Sequence, residues 1–143
     1  MVARESQPVL LGLTVPKRAV ERGLVDGLAV SAGHFSDVEL IDAADRDERL
    51  ADFLAGAAHG ANGYAVRTDD PDRALALIAA TAAALCGEDI RAALARPDLA
   101  FLAGLSSGAV DAVRDMLLGI ETADPEALGS ALRAALDGHA PAA

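Results

Sequence analysis

Between Asp70 and Gly87 the chain reads DPDRALALIAATAAALCG, and from Ala74 to Cys86 it carries no charge. This stretch constrains the fold more than any other. Asp70 is suited to accept hydrogen bonds from the first free N–H groups of a helix, Pro71 fits the first helical position, and Gly87 can take the left-handed conformation that ends one. Between those ends Leu75, Leu77, Ile78, Ala82 and Leu85 point in several directions around a helical projection. A helix apolar on all sides belongs inside a protein, and this one falls short of the roughly 20 apolar residues that a membrane crossing takes. The expectation is an all-α protein: a compact multi-helix bundle around a buried central helix, residues 70–87, with at most two short strands.

Composition narrows the class. A chain of 143 residues that is 52% apolar has material for one core, so residues 1–143 read as a single helical domain with frayed ends at 1–7 and 139–143. A net charge of −10 lacks the clustered cations of a phosphate-backbone partner, so nucleic acid is not expected. Lys17 is the only lysine, and tryptophan is absent, which removes large stacking platforms. Cys86, the only cysteine, excludes an internal disulfide and a cysteine-based metal cluster and fits a reducing cytoplasm. The apolar run after Gln7-Pro8 ends at Pro16-Lys17-Arg18, short of a signal peptide, and no membrane partner is expected.

Taken in order, Val9 to Val15 has strand-like length and reads either as a short strand or as an extended arm. From Pro16 to Ala32 the four-residue spacing of Val20, Leu24 and Leu28 predicts an amphipathic helix. Ser36 with Glu39 has the form of a capping box and predicts a charged helix running to His59-Gly60, which the dense charge at Asp45 to Glu48 can interrupt. Tyr64 to Thr68 alternates weakly and reads as one short strand, able to pair with Val9 to Val15. Short helices follow over Glu88 to Ala95 and Asp98 to Leu105. A longer one is capped at Ser106 and Ser107 and carries Val110, Val113, Leu117 and Ile120 at helical spacing toward Gly119. The last helix starts at Asp124-Pro125, repeats Ala-Leu at 127–128, 131–132 and 135–136, and ends at Gly138.

Few residues can carry chemistry. His34, His59 and Tyr64 are the candidate catalytic groups, the histidines as acid or base near neutral pH and Tyr64 as a proton donor. Arg67, Asp70 and Thr81 are the candidate ligand-binding groups: Arg67 as an anion holder, Asp70 beside it at the mouth of the central helix, Thr81 as a lone polar group among alanines. Each also has a structural reading: helix-end roles for the histidines, an Arg67–Asp70 pair, and a Thr81 bond to the preceding turn. On one straight helix His34 and His59 stand nearly 40 Å apart, at about 1.5 Å per residue, and cannot share a site. No metal site and no cofactor is expected. Of the possible ligands His34, Asp37 and Glu39, the two carboxylates diverge around a helix, and no phosphate loop, dinucleotide fingerprint, calcium loop or nucleophile elbow is present. Cys86, at a helix C-terminus, reads as a packing residue.

Two functions compete on this reading. One is a small cytoplasmic helical protein that self-associates as a homodimer or binds a protein partner through the Ala/Leu seam of its last helices. The other is a cofactor-independent lyase, isomerase or cyclase that encloses an apolar small molecule between helices, as in specialised metabolism.

Overall fold

The computed structural model describes residues 23–60 and 62–139. It overturns the all-α expectation. Four strands, β1 (Ala29–Ser31), β2 (Glu39–Asp42), β3 (Tyr64–Arg67) and β4 (Leu117–Thr122), form one parallel sheet in the order β1-β4-β3-β2. The helices are α1 (Asp47–Ala57), α2 (Pro71–Cys86), α3 (Ile90–Ala95), α4 (Leu99–Ala103), α5 (Ser107–Met116) and α6 (Pro125–Asp137). The architecture is mixed α/β. Expectations for Val9 to Val15, Val20 and the two chain ends at 1–22 and 140–143 lie outside the described residues.

Direct pairing puts Ile41, Val66 and Ile120 on one face of the sheet, with Tyr64 beside Leu117. That face is covered by helices. Tyr64 meets the Phe53 ring of α1 edge-on at 5.2 Å and is hydrogen-bonded to Thr81 of α2, so both helices lie on the same side. Helix α6 packs on β1, β4 and α2. The core joins Leu50 and Leu54, Leu77 and Ile78, Leu117 and Ile120, and Leu132, all at most 1% exposed.

Ala65, Gly119, Arg67 and Glu121 share the other face. Strands β1 and β2 are the two edges, and residues 32–38 must cross the sheet to join them. Eight residue steps reach about 26–29 Å, enough for a diagonal of roughly 20 Å over three strand spacings. The crossing runs close to the sheet where Ala65 and Gly119 leave little side chain beneath it. A Cβ at Gly119 would stand 2.7 Å from the Phe35 ring, so Phe35 lies directly on that glycine.

Helix α2 forms as its sequence dictates. Asp70 accepts from the Asp72 N–H at 2.9 Å, Pro71 occupies the first turn, and Gly87 closes the helix at φ 72°. Every residue from Ala74 to Ala83 is buried. Helix α6 likewise has Asp124 as its cap, and α5 has Ser106.

Three predicted helices are corrected. Residues 23–28 turn rather than continue a helix, with Gly27 at φ 66°, and Ala29–Ser31 is a strand. The helix expected from Ser36 is replaced by β2, followed by α1 starting only after Arg46, which makes no side-chain cap. Helix α5 ends at Met116 and passes straight into β4, so Leu117 and Ile120 belong to a strand. In each case backbone pairing between residues distant in sequence outweighs a local helical spacing. The expected strand at Tyr64 to Thr68 is present as β3, with β2 and β4 as its partners.

Candidate functional site

The carboxyl ends of parallel strands are where α/β proteins ordinarily bind ligands. Here that edge gathers His34, Arg67 and Asp70 with three residues the sequence reading did not single out: Asp69, Glu121 and Thr122. Glu121 is the organiser. One oxygen accepts from the Gly33 N–H at 2.9 Å and the other from the Phe35 N–H at 3.1 Å, while Arg67 reaches the carboxylate across the strands at 3.5 Å. Its side chain is 1% exposed against 57% for Arg67. The two N–H groups, with Arg67 adding less, hold its carboxyl below the usual glutamate range against the opposing effect of desolvation.

Asp69 does the same for the next loop. It accepts from the Thr122 hydroxyl at 2.6 Å and the Ala123 N–H at 2.8 Å, and these two bonds lower its pKa. Asp70 is committed to capping α2. His34, between the two residues that bind Glu121, is exposed and stacks edge-on against Phe35 at 4.8 Å. The carboxyl edge is thus a set of ties between loops.

Acid should loosen those ties. A carboxylate lowered in the folded state contributes stability that is fully present above its unfolded pKa, about 4.3 for glutamate, and that is lost as pH falls through the folded value. Glu121→Gln is therefore expected to lower the urea midpoint at pH 7 and to flatten its decline below about pH 4.3, Asp69 retaining its share. Two curves that stay parallel down to pH 3 would remove Glu121 from the acid response.

Tyr64 and Thr81 meet in the core. Thr81 donates its single proton to the Leu77 carbonyl at 2.7 Å, so the Tyr64 hydroxyl must donate to Thr81. Tyr64 is 1% exposed, and burial pushes its phenol well above the ordinary tyrosine range, only partly offset by Thr81. The phenol proton is engaged by this bond within the core. Thr81→Val leaves the phenol buried without an acceptor and is expected to cost about 1–3 kcal/mol, whereas Tyr64→Phe removes the donor itself and costs about 0.5–1.5 kcal/mol. Thermal unfolding of both variants would check the order.

The remaining candidates are dispersed. Tyr64 and Arg67 stand at opposite ends of β3, roughly 10 Å apart. His34 follows the carboxyl end of β1, while His59 follows α1 and returns to the amino edge, so the sheet itself separates the histidines. Breaking the long helix therefore does not unite them. At the amino edge of the sheet Tyr64, alone of the six candidates, borders a hollow of about 720 Å³ that it lines together with Asp37, Glu39, Asp52, Phe53 and Leu118. Among the described residues no group of three His, Cys, Asp or Glu is placed to hold a metal ion.

A groove of different character lies on the helical side. Ala79, Ala83 and Cys86 of α2 form one wall, Ala92, Ala93 and Ala95 of α3 another, and Phe101 of α4 the end, around about 640 Å³. Its lining is mainly apolar. Leu94 and Leu102, each 2% exposed, anchor α3 and α4 in the core, while Phe101 on the same short helix stays 48% exposed. Cys86 is exposed at the mouth, a correction to its packing role.

Fold and site together define a parallel α/β protein with an apolar helical groove. Comparison with family models, curated proteins and solved structures found no match. No helix among the described residues is long and apolar enough to cross a membrane.

Proposed function

We propose that this chain binds a small, largely apolar molecule in the groove between α2, α3 and α4. The carrying observation is the alanine lining around about 640 Å³ with a half-exposed Phe101 at its end. Ligand sites of drug-sized molecules occupy about 300–1,000 Å³ and are mostly apolar with a few polar groups at the margin. The six residues first considered for chemistry do not line it, so the reading is binding rather than catalysis by those groups.

Self-association or partner binding is the second reading, and its support has moved. Leu128, Leu132 and Leu136 of the α6 ladder are at most 8% exposed within a single chain, so the seam is already filled from inside. Phe101 at 48% exposure, with Leu85 and Leu40 less exposed, is among the large apolar side chains that a second protein could cover instead.

Mass spectrometry under non-denaturing conditions separates the two. The purified chain is expected to carry an added mass of a few hundred daltons that disappears on mild unfolding. Ala92→Leu, an exposed position on the groove wall, should abolish it without lowering the melting temperature. A variant that retains the same mass would place the ligand elsewhere and end the groove reading, and a dimer without added mass would favour the partner reading.

A further inference from the structure

We propose, resting on the groove reading above, that the groove prefers apolar molecules bearing a positive charge. Its floor is alanine, but Glu88, Asp89 and Asp98 stand on its lining against the single Arg96. Three carboxylates against one guanidinium leave the lining net acidic, in a chain whose overall charge is −10. The local and global fields have the same sign. The acids are also fixed in place. Asp89 caps α3 through the Ala92 N–H at 3.1 Å and Asp98 caps α4 through the Phe101 N–H at 3.0 Å, each bond engaging one carboxylate oxygen. Their charge is therefore held beside residues that line the groove, Ala92 and Phe101, instead of swinging free in water. An alkyl chain laid on the alanines would bring a cationic head to this margin, whereas an anionic head would be repelled there.

The test uses three eight-carbon probes of matched tail: octyltrimethylammonium, 1-octanol and octanoate. Each is titrated into the full chain at pH 7 and low ionic strength, following the methyl resonances of Ala79, Ala83 and Ala92. The cation is expected to bind roughly two- to fivefold more tightly than the alcohol, within the range that exposed ion pairs supply, and octanoate more weakly than both. At about 1 M salt, where screening acts within about 3 Å, the three should converge. In Glu88→Gln/Asp89→Asn/Asp98→Asn the preference should vanish while the fold persists, because asparagine caps a helix about as well as aspartate. Equal or tighter binding of octanol or octanoate, or a preference surviving in the triple variant, overturns charge selection and leaves the groove reading standing. Silence of all three methyl resonances with every probe overturns the groove reading itself.

Discussion

Leu132→Ala should destabilise the protein by about 2–5 kcal/mol and leave its oligomeric state unchanged. Leu132 is 0% exposed in the core, on a helix that packs against β1, β4, α2 and α4. Trimming its isobutyl group to a methyl loses the transfer energy of three carbons and leaves a cavity. The cost approaches the upper end where the walls cannot collapse, and one wall here is a hydrogen-bonded sheet. Denaturant unfolding with a lowered midpoint and an unchanged slope would show it. A dimer that dissociates in this variant while the monomer keeps its stability would instead restore the α6 seam as an interface.

Gly119→Ala is the second large effect, and it acts by crowding. The added methyl would sit 2.7 and 2.8 Å from two atoms of the Phe35 ring and 3.3 Å from the Leu28 carbonyl oxygen. Overpacking of this kind costs about 1–3 kcal/mol. The ring is the softer neighbour, but moving it pulls on a backbone whose Phe35 N–H is bound to Glu121. A double-mutant cycle isolates the contact. Phe35→Leu is expected to be destabilising in the parent chain and to recover part of the loss in Gly119→Ala, giving a coupling of the order of 1 kcal/mol. Strictly additive changes would mean that the 32–38 crossing does not rest on Gly119.

The same glycine shows why the sheet escaped the sequence reading. In LLGIET the apolar residues continue the helical spacing of Val110 and Val113, and no glycine, proline or turn separates Met116 from Leu117. A short apolar run is compatible with helix or buried strand, and only partners decide. Here the partners are β1, some 90 residues earlier, and β3, some 50 earlier. Ser36 to Glu39 presented the same ambiguity, since a capping box is a local pattern and β2 is held by pairing with β3. Glu121 was invisible as an organiser for a related reason. Its donors, Gly33 and Phe35, are 88 and 86 positions away.

The groove was legible only in part. Alanine-rich helices at 71–86 and 90–95, with an interruption at Arg96-Pro97, are apparent in the sequence. That these two leave a trough with α4, and that Phe101 borders it, depends on how they pack.

What the sequence determined by itself is local. Asp70-Pro71 and Gly87 bound α2, Asp124-Pro125 starts α6, Ser106 starts α5, and an uncharged run sends α2 to the interior. These follow from capping geometry, proline's fixed φ and the cost of exposing apolar surface, all of which act within a few residues. Tertiary structure decided the rest: a parallel sheet, the inward turn of the α6 leucines, the consumption of Tyr64, Asp69, Asp70 and Glu121 in structural bonds, and the position of the groove. Parallel strands cannot pair without a crossover between them, so their hydrogen bonds join residues that no short window of sequence contains.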